Sequence, residues 1–327
     1  MHGIKRKEWT KELLRKKREE ERQKILDYQQ LTNDVLNSKR ERITDKNAFL
    51  KTTKLLDINP EFNAVWNYRR EIIKTLSLQL DENFWDSELN FTMEKLKVRP
   101  KVYWIWNHRL WCLQSYPNSP LKIWLKELAI VSKLLEMDSR NFHGWHYRRF
   151  IVKTVESLSG RSLNSDEFEY TTKKINQNIS NFSAWFQRTT IIESMLSKDQ
   201  ISDMDSFINN EFEYIKNAIF TDAEDQSVWT YLIWFIKESA MKNIMEPELY
   251  SNMVKALIEN IVLINDDELS FSGKDNGWCL KTLIVLESIQ KEYLKEDIQS
   301  KSQEYLDKLI TIDPLRKNRY LHQLKNL

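Results

Sequence analysis

Glycine and proline are scarce, five and six in 327 residues. Chains built from strands and tight turns need more of both, so a sandwich or barrel is excluded. Cysteine is scarcer still. Cys112 and Cys279 are too few for a disulfide framework, which fits a reducing compartment. No apolar run approaches the roughly 18 residues of a membrane span. The N-terminus is charged from Lys5 onward and lacks the apolar core of a signal peptide. A cytoplasmic protein is expected. Neither sign of charge dominates, and a formal net charge of +2 gives no overall pull toward nucleic acid or membrane. There is no glycine-rich phosphate loop, no G-x-S-x-G elbow and no His-Glu-x-x-His or paired-Cys motif. His2, His108, His143, His146 and His322 form no zinc-like cluster with the two cysteines, so no metal site is expected in this chain.

What the chain has is a repeat. Asn141-Phe142-His143-Gly144-Trp145-His146-Tyr147-Arg148-Arg149 has relatives around Trp66, Trp106, Trp185 and, more weakly, Trp229. These tryptophans are spaced by 40, 39, 40 and 44 residues. A period near 40 residues marks a helical repeat array. Ten residues before each Trp stands an aliphatic: Leu56, Leu96, Leu135, Ile175 and Ile219. Seven before stand Asn59, Arg99, Asp138, Asn178 and Asp222, mostly turn and cap formers. Ile310, Asp313 and Tyr320 keep these offsets and predict a degenerate last repeat. Trp278 is read as the anchor of another, although its upstream positions do not fit.

Each repeat is predicted to be a pair of antiparallel helices with the Trp buried where they cross. In the third, Leu121, Trp124, Leu125, Leu128, Val131 and Leu135 trace the apolar stripe of the first helix. Polar loops are predicted over 157–166 and 266–276. Residues 1–45 form a charged N-terminal helical region: residues 5–24 carry ten Lys/Arg against five Glu. It is read as a solvated helix, with an acidic partner surface as the alternative. Ile25, Tyr28 and Leu31 or Thr32 are expected to open the first apolar stripe. The whole of 1–327 is read as a single helical-repeat domain.

Arg69, Arg109, Arg148 and Arg188 recur three residues after the Trp. Two readings stand: guanidinium groups bridging neighbouring repeats, or a basic rim along the array. The turn-to-helix junctions of the second and third repeats carry Lys101, Tyr103, Asn141 and His143, where other repeats have Glu61, Asn63, Asn181 and Ser183. An ammonium, a phenol and an imidazole at helix N-termini suit an anionic group such as a diphosphate. Ordinary capping is the alternative.

At these residues the repeat resembles that of the protein prenyltransferase α-subunit family, with five copies between Asn59 and Tyr231. The Met1-His2-Gly3 opening and Asn59-Pro60-Glu61-Phe62 leading into Trp66-Asn67-Tyr68-Arg69-Arg70 resemble its type II (Rab geranylgeranyltransferase) branch, in a compact yeast-like form. The resemblance implies an all-α, right-handed superhelical, crescent-shaped array of antiparallel helical hairpins wrapped around an obligate β subunit. That partner would hold the catalytic zinc and the lipid pocket, with Mg2+ as a candidate second ion. The reaction implied joins geranylgeranyl diphosphate to C-terminal cysteines of Rab GTPases presented by a Rab escort protein. The family's diphosphate lysine and tyrosine map onto Lys101 and Tyr103, and its Tyr-His pair onto Phe142 and His143. Lys101 and His143 are then the catalytic candidates, offsetting charge on the leaving group. Phe142 departs from the farnesyltransferase pattern, since a phenyl ring donates no hydrogen bond. His2 is a candidate ligand to the partner's metal. Two rivals remain. One is a shared farnesyltransferase/geranylgeranyltransferase type I α subunit acting on CaaX ends. The other is a non-enzymatic helical scaffold, against which the period stands, being longer than the usual 34 residues of tetratricopeptide repeats.

Overall fold

The computed structural model describes residues 10–81, 83–237 and 245–326. Among them every regular element is helical, as the shortage of turn formers predicts. The α-helices in order are α1 (Lys11–Arg40), α2 (Lys46–Ile58), α3 (Asn63–Thr75), α4 (Phe84–Val98), α5 (Tyr103–Ser115), α6 (Leu121–Met137), α7 (Phe142–Ser159) and α8 (Asn164–Gln177). There follow α9 (Phe182–Ser197), α10 (Met204–Thr221), α11 (Gln226–Lys237), α12 (Pro247–Ser272), α13 (Gly277–Ser288), α14 (Ser302–Ile312) and α15 (Lys317–Leu324). The helices fall into two compact units. One runs to Leu134 and includes His146–Ser159; the other holds Leu135–Trp145 and everything from Gly160. Within the first, α2 packs on α3 and α4 on α5; within the second, α8 packs on α9, α10 on α11 and α12 on α13.

One bond closes each hairpin. The indole N–H of Trp66 donates to the carbonyl of Pro60 at 2.8 Å, and that of Trp106 to Pro100 at 2.8 Å. Trp145 donates to Ser139 at 2.8 Å, Trp185 to Ile179 at 2.7 Å and Trp229 to Ala223 at 2.8 Å. The acceptor is always six residues upstream, in the turn between the two helices. Burying an indole is favourable only if its N–H finds a partner, and this carbonyl is the partner. Seven residues before the anchor, Asn59, Arg99, Asn178 and Asp222 each end the first helix as its C-cap. The side chains of Asn59, Asn178 and Asp222 then accept the N–H two residues on, an Asx turn that starts the chain back.

Several expectations shift. Ile25 is 57% exposed, so the stripe opens one turn later, with Tyr28, Leu31 and Thr32 half-buried and Val35 the first fully buried apolar side chain of α1. Both predicted loops are shorter, because the helices run on through their polar residues. α7 continues to Ser159 and α12 to Ser272, and each stops at a glycine with positive φ, Gly160 at 67° and Gly273 at 72°. Trp278 is not the anchor of its hairpin. Asn276 caps α13, and four residues later, where Trp145 follows Asn141, stands Leu280, fully buried with Leu306, Leu309 and Tyr320. Trp278 lies two positions too early, half-buried beneath the Lys281 ammonium. Tyr320 is buried and donates to Asp313 at 2.6 Å, a side-chain version of the indole bond. His2 and the rest of the Met-His-Gly opening lie outside the described residues.

Candidate functional site

The second helix of each pair begins three residues before its Trp, so this position is displayed at the helix start. Tyr103 is the first residue of α5, 47% exposed, its ring edge-on to Trp104 at 5.0 Å. Lys101 is exposed in the turn just ahead. Val102, the N-cap residue between them, offers no side-chain acceptor to the first backbone N–H groups. A helix start without a side-chain cap, flanked by an ammonium and a phenol, suits an anion. The start of α7 is different. Asn141 is buried, and its Oδ1 accepts the N–H of His143 at 3.1 Å and of Gly144 at 3.3 Å. His143 is half-buried with its imidazole 3.9 Å from the Phe142 ring, and Phe142 is 67% exposed. Lys101 and Tyr103 thus share the start of α5 in one unit, Asn141 and His143 the start of α7 in the other.

The recurrent arginines are buried, so they offer no exposed basic rim. Arg69 reaches forward from α3 to α4, where Nε and Nη2 donate to Glu88 at 2.6 and 2.7 Å. It also reaches sideways to α2, where Nη1 donates to Thr52 and Thr53 at 2.9 and 2.8 Å. Arg109 repeats the fork onto Glu127 at 2.6 and 2.8 Å and onto Thr92 at 2.9 Å. Arg188 repeats it onto Glu211 at 2.7 and 2.6 Å and onto Thr172 at 2.7 Å. Arg148 donates to Ser132 at 2.7 Å. Each carboxylate takes one further bond from the residue two after the next Trp. His108 meets Glu88 at 2.7 Å, Tyr147 donates to Glu127 at 2.7 Å and Tyr231 to Glu211 at 2.6 Å. Glu88, so supplied, stays ionised: burial would raise its pKa, but Arg69 and then His108 outweigh it and bring it to about 2.

Five segments of the chain, 45–76, 85–116, 124–155, 164–195 and 208–239, match the protein prenyltransferase alpha subunit repeat, and each holds one anchoring Trp. Along 99% of both chains the sequence is 57% identical to the geranylgeranyl transferase type-2 subunit alpha of Saccharomyces cerevisiae. The chain belongs to the protein prenyltransferase α-subunit family. The corresponding subunit of Candida albicans is 38% identical, over 99% of this chain and 97% of that one. A chain of the solved Candida albicans protein geranylgeranyltransferase-I complexed with GGPP shares the fold, with a TM-score of 0.68 over 91% of this chain and 90% of that one at 23% identity.

The sequence reading of this family member missed the polar core: Glu88, Glu127 and Glu211, and the threonines beside them. The signal was present as a Glu 18 to 23 residues after each of Arg69, Arg109 and Arg188, inside an apolar stripe. Among the described residues one cluster has metal-ligand composition, Glu88, His108 and Cys112, with ligand atoms within 4.8 Å of one another. Its chemistry does not suit a cation. Both oxygens of Glu88 receive the Arg69 fork. Nδ1 of His108 faces the Nε–H of Arg70 at 3.2 Å, so the ring proton lies on Nε2 and is donated to Glu88. Burial, and then Glu88, push the Cys112 thiol well up, away from the thiolate a metal binds. No helix among the described residues is long and apolar enough to cross a membrane.

Proposed function

We propose that the chain is the α subunit of a heterodimeric geranylgeranyl transferase of type 2. Its reaction moves the geranylgeranyl group from geranylgeranyl diphosphate to C-terminal cysteines of Rab GTPases held by a Rab escort protein. The observation that carries this reading is the 57% identity along 99% of both chains to a subunit of that name. The β partner, in this reading, supplies the lipid pocket and the zinc that lowers the pKa of the substrate thiol. Mg2+ is a second candidate ion at the diphosphate. The setting proposed is the cytoplasm, in keeping with two buried, unbridged cysteines.

In the transfer the thiolate sulfur bonds to C1 of the prenyl chain, the C1–O bond breaks, and diphosphate leaves with the electron pair. This chain's part is to meet the charge that grows on the leaving oxygens. Lys101 offers an ammonium and Tyr103 a hydroxyl at the start of α5, where the N-cap residue Val102 makes no side-chain cap. His143 offers an imidazole from α7. Fixed donors aimed at developing charge lower the barrier without reorganisation. Phe142 contributes no donor.

Lys101→Ala is expected to cost about 2–4 kcal/mol of transition-state stabilisation, roughly 30- to 1000-fold in single-turnover transfer to an escort-bound Rab, while heterodimer assembly survives. An unchanged rate removes Lys101 from the site. Transfer to a CaaX peptide in place of the escort-bound Rab would overturn the substrate assignment.

A further inference from the structure

We propose that Asn141 is a positioning residue for His143: it fixes the first turn of α7, so that the imidazole is held for the diphosphate, and does not itself touch the ligand. The inference rests on the reading of His143 given above.

Asn141 is 6% exposed, and its Oδ1 takes the N–H groups of both His143 and Gly144. The two helix starts therefore serve an anion differently. At α5 the N-cap residue is Val102, whose side chain caps nothing, whereas at α7 two N–H groups are taken by the amide oxygen of the N-cap residue. That oxygen is an acceptor, which an anion repels. What α7 offers a diphosphate is the His143 side chain.

This turn also needs a cap more than its counterparts do. The position before the anchoring Trp is Val65, Ile105, Ala184 and Val228 in the other repeats, but Gly144 here. Glycine loses the most backbone freedom on entering a helix, so the turn that carries His143 is intrinsically loose. The site is also tight: a Cβ at position 144 would meet Leu135 Cδ2 at 3.0 Å. The Asn141 cap supplies the order that residue 144 does not. The Phe142 ring, 3.9 Å from the imidazole, restricts the side chain itself. Asn141 thus holds the backbone of His143 and Phe142 its ring.

The test is a mutant cycle in the heterodimer, read by single-turnover transfer from geranylgeranyl diphosphate to an escort-bound Rab. Asn141→Ala is expected to slow transfer about tenfold, and Asn141→Ser, whose hydroxyl also caps, to recover most of the loss. Asn276→Ala removes the equivalent cap of α13, two N–H bonds at 2.8 and 3.2 Å, and is expected to stay within about twofold of the parent. In a His143→Ala background, Asn141→Ala should slow transfer no further, because it acts through the missing imidazole. Losses that multiply instead, or equal slowing by Asn276→Ala, overturn the positioning role while leaving His143 in place. A His143→Ala enzyme at full rate removes the reading of His143, and this inference with it. Should Asn141→Ala fail to assemble, Asn141→Ser against Asn141→Gln makes the same comparison. Gln is not a capping residue, and equal rates for the two overturn the proposal.

Discussion

At the scale of the residue, the question is why charged groups are buried in an array with so many apolar neighbours. A lone buried guanidinium or carboxylate costs several kcal/mol. Here each fork on Glu88, Glu127 and Glu211 is bidentate, and its third nitrogen is bonded to a threonine hydroxyl. Three helices are tied at one point, since Arg69 of α3 joins Thr52 of α2 to Glu88 of α4. His108 adds a pH dependence. Burial lowers its pKa from 6.5 to about 4 despite the Glu88 hydrogen bond. The unfolded chain takes up the proton near 6.5 and the folded chain only near 4. Stability from this site is therefore complete above about pH 6.5 and falls, by up to about 3 kcal/mol, as pH drops to 4. Glu88, lowered from 4.5 to about 2, extends the loss to lower pH. His108→Gln should flatten the dependence between pH 6.5 and 4, read as urea midpoints against pH. An unaltered slope would mean that His108 is not the group that titrates.

At the scale of the element, the hairpin was legible because its signals are local. Leu56, Asn59 and Trp66 state the end of one helix, the turn and the pin of the next within one short stretch. The polar core was not legible from the same stretch. In α6 the stripe read as Leu121, Trp124, Leu125, Leu128, Val131 and Leu135. The structure buries Trp124, Glu127, Val131 and Leu135 and leaves Leu125 47% exposed. An apolar-stripe rule cannot choose Glu127 over Leu128, because what admits the carboxylate is Arg109 on another helix. Helix stops show the same division. Gly273 ends α12 at φ 72°, its N–H bonded to the carbonyl of Leu269. Nothing lies within 4 Å of an added Cβ there, so Gly273→Ala pays for backbone conformation alone. It should lower stability by about 1 kcal/mol, with Gly273→Asn losing less, as read by thermal unfolding. Equal midpoints for Gly, Ala and Asn would show that the left-handed cap is not needed.

At the scale of the whole molecule, aromatic rings are exposed at one place in three successive repeats. Tyr103 is 47%, Phe142 67% and Phe182 48% exposed, each as the first residue of its helix, and Phe186 adds another at 51%. Rings that recur at one register without burial fit positions that a partner chain covers in each repeat. Co-expression with a prenyltransferase β subunit should therefore slow hydrogen exchange in the first turns of α5, α7 and α9 relative to the isolated chain. Protection no different from that of the isolated chain would remove these starts from the interface. By itself the sequence determined the helical class, the period of about 40 residues and the place of the five anchoring indoles, because caps, turns and apolar spacing act within a dozen residues. The tertiary structure alone decided which glutamates are core residues and that Leu280 rather than Trp278 anchors its hairpin. Those outcomes depend on partners 18 or more residues away, which a linear pattern does not carry.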